Sequence, residues 1–185
     1  MDTLHPLYLD GTLSHEAYLR TRMAAMLTTL GHPVPNDAEL DRLEQQRTTL
    51  AETGLQLYPD VLPCLGTLRS EGMLLALLSN TDGRFQRRRL QVLGLAVLFD
   101  VIALSGEIGV AKPDLAAFEH VNTALGLTTG DVVHVGDNPA TDAQGALAAG
   151  NPMALLIDRT GHRAVPAGVT RIADLREVPD LLRGI

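Results

Sequence analysis

A hydroxyl, an ammonium and two carboxylates stand in this chain where they could act on one ligand. Ser79-Asn80-Thr81-Asp82 follows the aliphatic run Met73–Leu78, and Ser105-Gly106-Glu107 follows Val101–Leu104. Gly136-Asp137-Asn138 through Asp142 follows Val132–Val135, and Lys112-Pro113-Asp114 opens a helix-period segment. Lys112 is the single lysine among 15 basic residues. Two carboxylates five residues apart at a strand-to-helix turn, Asp137 and Asp142, suit a hard divalent cation such as Mg2+, which takes oxygen ligands and keeps several waters. A lysine and a hydroxyl beside that cation suit a phosphoryl group, whose equatorial charge needs neutralising. Each residue also has an ordinary structural reading. Ser79 to Asp82 could cap a helix, Lys112 could be a solvated surface charge, and Asp137 and Asp142 could serve a turn and a helix N-terminus. It is the joint placement that favours chemistry.

Such residues converge only if the elements behind them share one sheet edge. Ligands of open α/β sheets bind beyond the carboxyl ends of the strands. From Tyr58 onward the sequence alternates helix-period segments with short aliphatic runs: helices over Asp60–Glu71, Arg84–Leu93, Leu115–Leu125 and Ala140–Ala149, strands at Met73–Leu78, Val101–Leu104, Val132–Val135 and Ala154–Ile157. Gly94, Gly126 and Gly150 stand where helix C-termini prefer glycine. Alternation of this kind implies βαβ units and a mostly parallel sheet. The continuous aliphatic character of the runs implies strands buried on both faces. A short edge strand near Val169–Ile172 and a helix over Asp174–Leu182 close the chain.

Ser14–Thr53 differs, with two helix-period stretches, no strand, and a break at His32-Pro33-Val34-Pro35-Asn36-Asp37. Ser14 and Asp37 occupy N-cap positions. The expected organisation is an α/β core of residues 1–13 and 54–185, carrying a helical insert at 14–53.

Composition narrows the class further. At 185 residues with a net charge of −7, this is one core with a small appendage. Acidity without a basic stripe argues against nucleic acid or an anionic membrane surface as partner. Met73–Leu78 is far shorter than the ~20 residues of a membrane-spanning helix, and the first residues lack the basic and apolar regions of a signal peptide. One cysteine, Cys64, cannot form an internal disulfide and reads as a small core residue. A cytoplasmic location is expected. The chain has no Gly-x-Gly-x-x-Gly, P-loop, Gly-x-Ser-x-Gly or His-Glu-x-x-His, so dinucleotide-fold, serine-hydrolase and zincin readings lack their residues. His134, inside an aliphatic run, reads as a packed histidine, and Arg87-Arg88-Arg89 as a solvated helix face.

Leu77-Leu78-Ser79-Asn80, Gly109-Val110-Ala111-Lys112-Pro113-Asp114 and Val135-Gly136-Asp137-Asn138 through Asp142 resemble motifs II, III and IV of the haloacid dehalogenase superfamily, in order and in spacing. The resemblance covers about Tyr58 to Arg159. It implies an α/β, doubly wound, Rossmann-like parallel sheet with a small α-helical cap of the C1 type. It also implies Mg2+-dependent hydrolysis of the phosphomonoester of a small phosphorylated metabolite. Ser79, Asn80 and Lys112 would hold the phosphoryl oxygens, and Lys112 would also stabilise the nucleophile. Asp137 and Asp142 would serve the metal. A dehalogenase is less expected, because Asp137 with Asp142 resembles a metal-binding pattern that dehalogenases do not need.

Motif I of that superfamily is a strand followed by Asp-x-Asp-Gly-Thr, and the nearest match is Tyr8-Leu9-Asp10-Gly11-Thr12. Aligned directly, Asp10 is the acid/base and a further metal ligand, while Tyr8 takes the nucleophile position. A phenol of pKa ~10 is a poor Mg2+ ligand, and it cannot form an aspartyl-phosphate. In a second register Asp2-Thr3-Leu4 aligns with the end of motif I and the nucleophile lies upstream of Met1. In a third, Asp10 is itself the nucleophile, with Thr12 two residues on. Pro6 disfavours a full central strand ending at Leu9, leaving Leu7-Tyr8-Leu9 as a short one. The alternative to an active hydrolase is a catalytically silent domain of the same fold that binds phosphate or a phosphorylated ligand.

Overall fold

The computed structural model describes residues 4–81 and 83–184, Arg84 by its backbone. The Asp82 candidate and the Asp2-Thr3 register lie outside the described residues. The chain divides into two compact units, 1–56 and 57–185.

The first unit is helical: α1 (His5–Leu9), α2 (His15–Thr29) and α3 (Asp37–Thr53). The short strand expected over Leu7–Leu9 is instead α1. Pro6 stands in its first turn, where a missing N–H costs nothing and the fixed φ suits a helix. Residues 4–13 thus group with the helical unit rather than with the α/β core. Tyr8 lies on α1 and stacks on Tyr18 of α2 at 5.0 Å between ring centroids, so it stands in a helix instead of ending a strand. Ser14 caps α2 as expected, accepting from Ala17 N–H at 3.2 Å. The cap of α3 is Asn36 rather than Asp37, with Oδ1 accepting from Glu39 N–H at 3.0 Å. Asp37 falls in the first turn, where a carboxylate still complements the helix dipole. Arg20 ties the two long helices through Asp41 at 2.7 and 2.5 Å.

The second unit alternates as the sequence predicts: α4 (Val61–Ser70), β1 (Ala76–Ser79), α5 (Gly83–Val92), β2 (Val101–Leu104), α6 (Ser105–Ile108), α7 (Leu115–Leu125), β3 (His134–Gly136), α8 (Gly145–Ala148), β4 (Ala154–Ile157), β5 (Thr170–Ile172) and α9 (Val178–Leu182). Gly94, Gly126 and Gly150 all adopt positive φ at the expected helix ends. Among the described residues every strand pairing is parallel, with Ala76 opposite Val101, His134 opposite Ala154, and Leu155 opposite Thr170. Helices cover both faces. On β4, Leu155 packs with Cys64 and Leu68 of α4 and Val178 of α9, while Ala154 and Leu156 pack with Phe118 of α7 and Ala146 of α8.

Among the described residues the ladder falls into two parts, β1-β2 and β3-β4-β5. Exposure follows this division. Ala154, Leu155 and Leu156 are wholly buried, as a two-sided strand requires, whereas no residue of β1 or β3 is. Met73 and Leu74, read from sequence as the start of a buried strand, precede β1 and are exposed.

Candidate functional site

The site forms where β1 and β3 end. Lys112 Nζ donates to the carbonyl oxygen of Leu78 at 2.9 Å and sits 2.8 Å from Asp142 Oδ1. One ammonium therefore links the end of β1 to the turn after β3. The loop bearing Lys112 is held by Asn80, whose Oδ1 accepts from Lys112 N–H at 2.9 Å and whose Nδ2 donates to the Lys112 carbonyl at 2.7 Å. The Lys112–Pro113 peptide is cis. Ser79 ends β1, and its Oγ accepts from the Thr81 hydroxyl at 3.2 Å.

Both Asp142 oxygens are engaged. Oδ2 accepts from Asn138 N–H at 2.9 Å, and Oδ1 takes the Thr141 hydroxyl at 3.3 Å besides Lys112. Burial pushes this carboxyl upward, but the Lys112 ammonium and the Asn138 N–H outweigh it and hold it below its ordinary value. The carboxylate packs onto Gly136, where a Cβ would lie 2.4 Å from Asp142 Cβ and Oδ2. Asp142 projects from a π-helical turn, Pro139–Gln144, rather than from the first turns of the single helix expected over Ala140–Ala149. Asn138 makes this turn: its Oδ1 accepts from Ala140 and Thr141 N–H, while its carbonyl takes both Asp142 and Ala143 N–H. Such widened turns recur at functional sites.

Asp137 differs from its partner. Its carboxylate is 70% exposed and meets Arg163 Nη2 at 3.2 Å through Oδ2. Asp10 belongs to the helical unit, at the end of α1, where its exposed carboxylate accepts from Thr12 N–H at 2.9 Å. The hydrogen bond to Thr12 lowers its pKa. The structure thus joins Ser79, Asn80, Lys112 and Asp142 around the strand ends and turns Asp137 toward Arg163.

Arg163, Thr141 and the structural need for Gly136 are absent from the sequence reading. Only Gly136 carried a local signal, a glycine directly before a site aspartate. Arg163 lies 26 residues beyond Asp137 and is brought there by the loop that Asp158 organises, accepting from Gly161 and Arg163 N–H. His134, within β3, packs edge-on to Phe118 at 5.3 Å. Burial first, then Lys112, push it down to about 4, against a smaller opposing pull from Asp142.

As for a metal, no group of three or more His, Cys, Asp or Glu gathers among the described residues. Mg2+ needs only one or two carboxylates, with waters and substrate oxygens completing its shell. An exposed Asp137 and an ionised Asp142 on one turn fit that requirement.

Comparison with known proteins agrees with this geometry. A family model for haloacid dehalogenase-like hydrolases matches residues 10–150. A phosphoserine phosphatase of Thermus thermophilus is 39% identical over 124 residues, 66% of this chain and 49% of that protein. A Mycobacterium tuberculosis protein described as phosphatase MT3486 is 36% identical over 183 residues, 96% of this chain and 79% of its own. Among solved structures, the putative HAD-hydrolase YfnB of Bacillus subtilis superposes with a TM-score of 0.77 at 23% identity, covering 97% of this chain and 77% of that one. The chain belongs to the haloacid dehalogenase-like hydrolases, and its curated relatives include phosphatases. It spans about half the length of the Thermus relative and of the mouse N-acylneuraminate-9-phosphatase, which it matches at 36% identity over 132 residues.

Proposed function

We propose that this chain is a Mg2+-dependent phosphomonoester hydrolase acting on a small phosphorylated metabolite in the cytoplasm. The observation that carries the reading is the Lys112 ammonium, fixed between Leu78 O and Asp142 at the end of the strand that Ser79 closes. A fixed cation and a hydroxyl at the carboxyl ends of parallel strands suit a phosphoryl group. Ser79 and Lys112 bind its oxygens, and Asn80 positions Lys112 through its two backbone bonds. Asp137 and Asp142 would hold the metal, which supplies neutralisation of phosphoryl charge when bound. The magnesium-bound YfnB neighbour and relatives named for phosphoserine and N-acylneuraminate 9-phosphate support metal and substrate class alike. Asp10 would act as general acid/base and further metal ligand, as the family motif implies.

One observation favours a second reading, a phosphate-binding domain without turnover. Tyr8, which motif I alignment puts in the nucleophile position, is helical and stacked on Tyr18, and a phenol there forms no aspartyl-phosphate.

Release of phosphate from p-nitrophenyl phosphate, with and without Mg2+, separates the two. Mg2+-dependent turnover lost in Lys112→Ala and in Asp10→Asn is the expected result for the hydrolase. A rise in Tm with inorganic phosphate, absent in Lys112→Ala and without turnover, establishes the silent domain. Neither response from the folded protein refutes both.

A further inference from the structure

We propose that Arg163 is an internal competitor for the divalent metal at Asp137, keeping the affinity of that carboxylate for Mg2+ low by occupying it with a guanidinium. The inference rests on the reading of Asp137 as a metal ligand, and an Asp137→Asn control distinguishes failure of one from failure of the other.

Of the two carboxylates on the turn after β3, only Asp137 has an oxygen to spare. Asp142 gives Oδ1 to Lys112 and the Thr141 hydroxyl, and Oδ2 to Asn138 N–H. Asp137 is largely exposed, and its one partner among the described residues is Arg163, with Nη2 at 3.2 Å from Oδ2. A dication approaching this turn therefore meets a carboxylate that already holds a cation.

The fold puts the arginine there. Asp158, whose side chain is wholly buried just after β4, accepts from Arg163 N–H at 2.9 Å, Gly161 N–H at 3.0 Å and the Thr160 hydroxyl at 3.2 Å. Arg171 of β5 lies 3.5 Å from the Asp158 carboxylate and donates through Nη2 to Arg163 O at 2.6 Å. The backbone of Arg163 is thus held on both sides, at its N–H and at its carbonyl. Its side chain takes no part in building the loop and reaches only Asp137.

The pair itself is loose. Arg87 grips Glu107 with two bonds of 2.6 Å, and Arg20 grips Asp41 with bonds of 2.7 and 2.5 Å. Arg163 makes a single bond of 3.2 Å to a carboxylate that water reaches. Bidentate geometry carries the strength of arginine–carboxylate pairs, and exposed single contacts contribute little. Such a contact can yield to a metal ion.

Charge decides whether Arg163 helps or hinders that ion. A neutral donor on Oδ2 would orient Asp137 and favour a metal on the other oxygen. A guanidinium adds a full positive charge, which repels a dication twice as strongly as it repels a monovalent ion at the same distance. Orientation by one long, exposed bond is the smaller effect, so the arginine opposes the metal.

The test is isothermal titration calorimetry of the full chain with MgCl2, comparing the native protein with Arg163→Ala, Arg163→Gln and the Asp137→Asn control. Because the loop rests on the backbone of Arg163, both arginine variants should melt like the native chain without metal. The expected result is a Kd for Mg2+ lower by about threefold to tenfold in Arg163→Ala and in Arg163→Gln, with binding lost in Asp137→Asn. Tighter binding is a change that damage to the loop would not produce. The proposal is overturned if Arg163→Ala binds Mg2+ no more tightly than the native chain. It is also overturned if Arg163→Gln keeps the native Kd while Arg163→Ala does not, since the hydrogen bond and not the charge would then be responsible. In both cases loss of binding in Asp137→Asn leaves the metal reading standing. No Mg2+ binding by any folded form, or binding untouched by Asp137→Asn, overturns both.

Discussion

Two residues away from the proposed chemistry hold the α/β unit together. Asp60 is fully buried, accepting from Arg159 at 2.7 and 3.1 Å and from Leu175 N–H at 2.8 Å. Arg159 in turn lies over the Tyr58 ring at 4.0 Å. Asp60→Ala leaves Arg159 and Leu175 N–H unpaired and is expected to cost about 3 kcal/mol or more in urea unfolding. Burial raises the Asp60 pKa, but Arg159 and the Leu175 N–H bring it below its ordinary value. Its contribution is therefore complete above the unfolded carboxyl pKa of ~3.9 and lost as pH falls through the lower folded value. Asp60→Asn should remove that acid-side loss. Gly136 makes the second prediction. A methyl there meets Asp142 at 2.4 Å, so Gly136→Ala should destabilise by about 1–3 kcal/mol and, by displacing the carboxylate, weaken phosphate binding in a Tm-shift titration.

At the scale of elements, caps and stops were the most legible part of the sequence, because they depend on one or two neighbouring residues. Ser14 and the three glycines at helix ends fell where expected. The α3 cap moved by a single residue because Asn36 and Asp37 are both competent and only one can precede the first turn. Ser14→Ala and Asn36→Ala should each cost about 1 kcal/mol of helix stability, read as a lower melting temperature of the far-UV helical signal. Elements set by longer-range forces were less legible. Pro6 reads as a strand breaker, yet nothing local in His5–Leu9 announces a helix resting on Tyr18. The π-helical turn at Pro139–Gln144 depends on Asn138 serving four N–H groups with two acceptors, a geometry that apolar periodicity does not encode. For the site, the residue types were readable but their pairings were not. Lys112 with Asp142 spans 30 residues and Asp137 with Arg163 spans 26; no spacing rule connects either pair.

The α/β unit as a whole carries a half-buried neutral imidazole in β3, with its Nε2 enclosed. His134 lies in β3, pushed down to about 4, and the charged groups acting on it are Lys112 and Asp142. A histidine of ordinary pKa ~6.5 in the unfolded chain takes up its proton well before the folded one does. Stability therefore falls as pH drops from about 6.5 toward 4, by an amount on the order of 3 kcal/mol, and is unaffected by this group above that window. Urea unfolding from pH 8 to 4 should show this slope in the native chain and lose most of it in His134→Leu. The Asp60 effect lies below the same window, so with the titration carried below pH 4 the two variants flatten different parts of one curve. Parallel pairing and helices on both faces were legible in the sequence, because aliphatic runs and glycine stops repeat along it. The division into two ladders was not, since Met73–Leu78 and Ala154–Ile157 are alike in composition and differ only in what lies beside them.

Lys112 has one more consequence, for labelling. It is the only side-chain amine in the chain, its side chain is 9% exposed, and it is committed to Leu78 O and Asp142. Acylating reagents that decorate most proteins at many positions would here find a single side-chain target, shielded for as long as the site stays closed. The rate at which that one amine is acylated becomes a direct clock for opening of the strand ends, legible by intact mass without a substrate or an engineered probe.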